Sequence, residues 1–244
     1  MEFTFYAYDN LLKKLIDNGY CITDYHNYHE NEKCVILRHD IDYDLRRAVH
    51  FAKIEKENKV KSTYFVFLTS DFYNIFSKKS FEIIHSLLDC GHEVGLHFDE
   101  VRYSDNSTKW EKERIVENIL HEISILSKAI GCEIKSVSMH RPSVHTLNSD
   151  LQIPGIVNSY SDEFFKDFKY VSDSRMRWRE NIEEIVSDGK SKKLHILTHP
   201  FWYSNGAETI SEKLECFIRR ATSDRTETLN DNITNLEELI ATSV

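Results

Sequence analysis

The sequence predicts an α/β protein, a mainly parallel sheet wrapped by helices, on two observations. Runs of β-branched and aromatic residues alternate with segments of helical periodicity at least four times along the 244 residues, as in parallel strands joined by crossover helices. The second observation is where the polar residues fall. Asp40, Asp42, His97, His140, Arg141 and His199 each stand at the C-terminal end of an expected strand, the end at which α/β folds bind ligands.

Phe5, Tyr8, Leu11, Leu12 and Leu15 recur at helical spacing ahead of Gly19 and predict a short amphipathic helix over 5–19. Tyr20 to Glu32 is polar and aromatic and is expected to be loop. Cys34 to Arg38 forms the first strand, which delivers His39-Asp40-Ile41-Asp42 at its end. Asp44 suits the N-cap of a helix running to about Lys59, with Leu45, Ala48, Val49, Ala52 and Ile54 as its apolar face. Ser62 to Leu68 is the clearest strand, and a helix over 80–89 closes at Cys90-Gly91 before the short strand Glu93 to His97. Trp110 to Ile130 repeats Ile115, Ile119, Ile123, Leu126 and Ile130 on one helical face, with Gly131 as its stop. Strand Ile134 to Met139 runs into His140-Arg141-Pro142. Residues 148–180 suit short strands and loops, and the last strand, Leu194 to Leu197, leads into Thr198-His199-Pro200-Phe201-Trp202. One or two helices are expected after Glu208.

Seven glycines and three prolines leave little room for a flexible linker, so one compact domain over 1–244 is expected. A formal charge of −9 argues against holding nucleic acid by phosphate neutralisation, which needs a basic face. The five cysteines form no Cys-x-x-Cys pair and suit reduced, buried thiols. Met1 to Tyr6 lacks the basic start and apolar run of a secretion signal, and no stretch approaches the roughly 20 apolar residues of a membrane span. A cytoplasmic location and no membrane span are therefore expected. The oligomeric state is not legible.

Asp40 and Asp42 are two apart, so on an extended chain they point to the same side. Like charges so close are tolerated where a cation, an arginine or a shared proton relieves them. Alone, the pair fits either a strand running into an Asp-rich turn or a site in which Asp42 binds a divalent metal and Asp40 acts as a base. The polar residues at the other strand ends favour the metal-dependent active site.

These residues also resemble the ordered motifs of the polysaccharide deacetylase family, carbohydrate esterase family 4, whose domain is called the NodB homology domain. The resemblance covers roughly residues 33–203. His39-Asp40-Ile41-Asp42 is similar to the first motif, in which the first Asp is the catalytic base and the next carboxylate a metal ligand. Gly91-His92-Glu93-Val94-Gly95-Leu96-His97 is similar to the family's Gly-His-Glu-Ile-Gly-x-His, whose last His binds metal, and is the most specific match. Leu197-Thr198-His199-Pro200 resembles the closing motif, whose His is the general acid. Tyr170-Val171-Ser172-Asp173-Ser174 with Trp178 is a weaker likeness of the Asp- and Trp-bearing fourth motif, which implies a catalytic role for Asp173 and a substrate-binding one for Trp178. The resemblance implies an irregular (β/α) barrel that removes an N-acetyl group from a sugar.

The sequence departs from the family in two places. The second metal His, four residues after the first, is replaced by Val101, which cannot bind a cation. His140 is the preferred substitute, because it ends the next strand, and Asp99 is the second choice. The third motif, Arg-x-Pro, appears as His140-Arg141-Pro142: aligned on Pro142, His140 takes the family's Arg position, and the adjacent Arg141 is the arginine expected to orient Asp40. The same variants are similar to those of a subgroup named for the protein WbmS, associated with bacterial surface polysaccharide assembly.

Asp42, His97 and a third ligand would give the mixed N/O set that suits Zn²⁺ and leave positions open for water and substrate. Asp40 would take the water's proton, and His199 would protonate the leaving amine. Phe201, Trp202 and Tyr203 fit either core or stacking on a sugar ring, and Trp202 joins Trp178 as a candidate substrate contact. The expected activity is a metal-dependent deacetylase acting on a carbohydrate, a precursor of cell-surface polysaccharide. Two alternatives stand beside it: an inactive carbohydrate-binding member of the same fold, suggested by Val101, and a hydrolase of another non-peptide C–N bond.

Overall fold

The computed structural model describes residues 1–103 and 110–241, which divide into two compact units, 1–205 and 206–244. The first unit opens with helix α1 (Phe5–Asp17), capped by the Thr4 hydroxyl, and the short strand β1 (Cys21–Thr23). Strand β2 (Cys34–Ile41) leads to α2 (Leu45–Glu57), β3 (Thr63–Phe67), α3 (Lys78–Asp89) and β4 (Glu93–Phe98). Then come α4 (Lys112–Ile130), β5 (Ser136–Met139), α5 (Val144–Asn148), β6 (Val157–Asn158), β7 (Lys169–Ser172), α6 (Ile182–Asp188) and β8 (Lys193–Thr198). The second unit holds α7 (Ile210–Asn230), opened by a Thr209/Glu212 capping box, and α8 (Leu236–Ala241).

All paired strands are parallel, in the order β6-β5-β4-β3-β2-β8-β7, with β1 also on β2. The sheet curls under its helices, as the alternating pattern predicts, and every residue of β2 is buried, as in strands covered on both faces. No helix among the described residues is long and apolar enough to cross a membrane.

Three local expectations change. Part of the loop over 20–32 is β1, whose three residues, Cys21-Ile22-Thr23, are too few to show a period. Val144–Asn148 forms a five-residue helix just ahead of the stretch expected to be irregular, where no element was expected, its N-terminus capped by the Ser143 hydroxyl. The buried face of α2 is Leu45, Ala48, Phe51, Ala52 and Glu55, so a carboxylate occupies a core position while Val49 and Ile54 are only partly buried.

Gly95 in β4 lies against β3 and β5. A Cβ there would come within 2.5 Å of Phe65 and 2.6 Å of the Ser136 hydroxyl. Overpacking of this kind costs about 1–3 kcal/mol. Gly95→Ala is therefore expected to lower the Tm by roughly 3–10 °C in thermal denaturation, and an unchanged Tm would show that Phe65 can move aside.

Candidate active site

The sheet register brings the polar strand ends together. Asp42 follows β2 directly, His97 lies in β4, and His140 follows β5, where its N–H donates to Phe98 O at 2.7 Å and prolongs the ladder to β4. His97 Nε2 lies 3.1 Å from His140 Nδ1 and 3.1 Å from Asp42 Oδ1, and His140 Nδ1 lies 3.5 Å from that same oxygen. Among the described residues these three form a group able to hold a metal ion.

Two details test the fit. Ligands bound at roughly 2.0–2.2 Å to one ion sit about 3 Å apart, as these atoms do. Asp42 Oδ1 is also buried without an aligned hydrogen-bond donor, which is costly unless a cation completes it. Burial pushes the Asp42 carboxyl up, but the His140 and His97 rings outweigh it and hold the group well below the usual carboxylate range.

Asp40 is buried and clamped by a guanidinium. Arg38 Nε donates to Oδ1 at 3.1 Å and Nη2 to Oδ2 at 2.7 Å, and the Ser138 hydroxyl donates to Oδ1 at 3.2 Å. Arg38 is itself fully buried, with Nη1 on Ser159 Oγ at 2.9 Å and the Tyr160 ring 4.6 Å from its guanidinium. Burial raises the Asp40 carboxyl, yet the charge and hydrogen bonds of Arg38 bring it below its ordinary value. The carboxylate is ionised, and Oδ2, accepting one bond where Oδ1 accepts two, has the greater capacity left.

His199 follows β8. Its Nδ1–H donates to Asp173 Oδ1 at 2.6 Å, and its backbone N–H lies 3.1 and 3.0 Å from the two oxygens of that carboxylate. Asp173 follows β7, is fully buried, and is itself fixed by its N–H on Leu197 O at 3.3 Å. The other imidazole nitrogen, Nε2, stands 4.0 Å from Asp42 Oδ2. Burial lowers the His199 pKa, but Asp173 overrides it and raises the group to about 9. At neutral pH the ring therefore carries a proton facing the Asp42 group.

The structure thus brings together Asp40, Asp42, His97, His140, Asp173 and His199. Arg141, expected on Asp40, is exposed at a left-handed φ of 47°, and the clamp on Asp40 is Arg38 instead. Asp99 Oδ1 turns back to accept the Val101 N–H at 3.1 Å, so Asp99 lies outside the Asp42 group, and Val101 is 57% exposed. Trp202 is buried, with ring centroids 4.9 Å from Phe201 and 6.2 Å from Tyr43, while Trp178 is partly buried. Both indole N–H groups are enclosed without an acceptor among the described residues. Sequence reasoning missed Arg38 and Ser138. Arg38 had a visible signal, since residues 38, 40 and 42 share one side of a strand.

No protein-family model and no curated protein sequence matches this chain. Solved structures of carbohydrate esterase family 4 and of polysaccharide deacetylases do match. A family 4 pseudoenzyme from Bacillus anthracis is 16% identical over 80% of this chain and 62% of its own, with a TM-score of 0.42. A family 4 carbohydrate esterase from the same species is 17% identical over 91% and 86%, with a TM-score of 0.44. A polysaccharide deacetylase from Bacillus cereus is 16% identical over 69% and 79%, with a TM-score of 0.45. The chain therefore spans less than two thirds of the pseudoenzyme's length. At TM-scores this low, the site stands on its own geometry.

Proposed function

We propose that this protein is a metal-dependent hydrolase that removes an N-acetyl group from a sugar, with a precursor of cell-surface polysaccharide as the substrate class. The observation that carries the reading is the approach of three ligand atoms, from Asp42, His97 and His140, beside a carboxylate clamped by Arg38 and a histidine held by Asp173. Asp42, His97 and His140 would hold a divalent cation, most suitably Zn²⁺, which when bound lowers the pKa of water and polarises a carbonyl.

The chain's own residues supply the rest. Asp40 takes a proton from the attacking water at Oδ2 while Arg38 keeps the carboxylate ionised and fixed. Water oxygen bonds to the acetyl carbon, the C–N bond breaks, and His199 gives its Nε2 proton to the departing amine. Asp173 holds Nδ1–H throughout, so the ring presents Nε2 to the leaving group and its positive charge is compensated. Trp202 and Trp178 are the candidate aromatic contacts for a sugar ring.

Acetate release from a panel of free and nucleotide-linked N-acetyl sugars, set against small cyclic amides, tests this reading. Turnover on the sugars is expected to vanish after chelation and to return with Zn²⁺. Zn²⁺ at about 100 times its Kd is expected to stabilise the fold by about 2.7 kcal/mol. Turnover confined to the cyclic amides, or a Tm indifferent to metal, would overturn it.

A further inference from the structure

His97 and Ser138 are register partners in the parallel pair β4/β5, so their side chains rise side by side from one face of the sheet. Ser138 is fully buried, and its Oγ lies 2.6 Å from His97 Nδ1 and 3.2 Å from Asp40 Oδ1. A hydroxyl has one proton, and a carboxylate clamped by a guanidinium only accepts. The Ser138 proton therefore goes to Asp40, which leaves its oxygen to accept from His97 Nδ1–H. That order fixes the tautomer of His97: the proton is on Nδ1, and the Nε2 lone pair faces Asp42 Oδ1 and His140 Nδ1. Asp40 Oδ2 is 3.8 Å from Nδ1 and beyond hydrogen-bond reach, so it does not take over as acceptor.

We infer that Ser138 is a positioning residue: its single hydroxyl sets the tautomer and ring orientation of the metal ligand His97 and ties that ligand to the base Asp40. The inference rests on the metal centre proposed above but not on the identity of the substrate. Outer partners of metal-bound histidines are typically worth 10–100-fold in metal affinity, and here one oxygen serves two functional groups. Without it, Nδ1–H is buried with no acceptor and the ring is free to turn over.

The test uses the full chain, freed of metal, with two readouts that need no turnover. Long-range ¹H–¹⁵N correlation spectra of the metal-free protein report the imidazole tautomer, and His97 is expected to carry its proton on Nδ1. Competition of Zn²⁺ against a chromophoric chelator gives the affinity. Ser138→Ala is expected to weaken it about 10–100-fold, with a cooperative unfolding transition of the metal-free variant, well above the assay temperature, as the check on folding. Ser138→Thr, which returns the hydroxyl, is expected to recover most of the affinity. A His97 proton on Nε2 in the wild type, or a Ser138→Ala affinity within twofold of it, overturns the inference. Failure of the wild type to bind Zn²⁺ overturns the metal centre itself, whereas Zn²⁺ binding with no acetate released overturns only the deacetylase reading.

Discussion

Asparagine in place of Asp40 is expected to lower the rate of acetate release by about 10²–10⁴-fold, the contribution of a positioned general base. His199→Gln is expected to fall in the same range, because it removes the proton donor from the opposite end of the reaction. In both variants Asp42, His97 and His140 remain, so Zn²⁺ affinity is expected to stay within a few-fold of wild type. The Asp40 variant carries a second cost. Its amide nitrogen has to face one of the two Arg38 donors, and the fully buried guanidinium loses its counter-charge. Breaking one side of a buried pair costs about 3–5 kcal/mol, so activity must be read per bound Zn²⁺ and well below the Tm. Turnover within tenfold of wild type in either variant would remove that residue from the mechanism.

The same residues show what the sequence made legible. Strand ends carrying Asp, His and Asp-His pairs could be found by period and chemistry alone, and parallel topology then brought them together. The approach of His140 to His97 and Asp42 was also readable, because consecutive strands of a parallel sheet are usually neighbours, which puts the end of β5 beside the end of β4. The clamp on Asp40 was assigned to the wrong arginine for a physical reason. Arg141 was chosen as the arginine inside the third motif, but the chain turns there through a left-handed residue and Arg141 points out to solvent, whereas Arg38 needed only the two-residue period of β2. Glu55 was beyond local reading. It stands three residues after Ala52, within the buried stripe of α2, but a carboxylate in a helix is ordinarily assigned to the wet face. Its partners come from α1, β2 and the start of β3, segments that only the fold assembles.

Glu55 carries the largest stability effect expected away from the site. Its fully buried carboxylate accepts from the hydroxyls of Tyr8 (2.5 Å), Ser62 (2.7 Å) and Tyr64 (2.5 Å) and from His39 Nε2 (2.7 Å). His39 Nδ1 in turn meets Thr198 Oγ1 at 2.6 Å, so the network reaches β8 beside His199 from the helix side of the sheet. Burial alone would raise the Glu55 carboxyl, yet the positive field and hydrogen bond of His39, with its other partners, bring it down to about 2. A carboxyl depressed on folding stabilises above its unfolded pKa, about 4.3, and that stabilisation is lost as the pH falls towards the folded value. Glu55→Leu fills the space but takes the acceptor from the Tyr8 and Tyr64 hydroxyls and from His39 Nε2, Ser62 Oγ keeping His92 Nδ1 at 3.3 Å, at about 1–3 kcal/mol each and not additively. A loss above about 4 kcal/mol is expected, read as a Tm lower by roughly 8–16 °C, together with a flatter stability profile between pH 4 and 2. Glu55→Gln is expected to cost less, because hydroxyls can turn to accept from its amide while a ring N–H cannot. Equal Tm values for the two variants would show that the space Glu55 fills, and not its acceptor oxygens, holds α2 to the sheet.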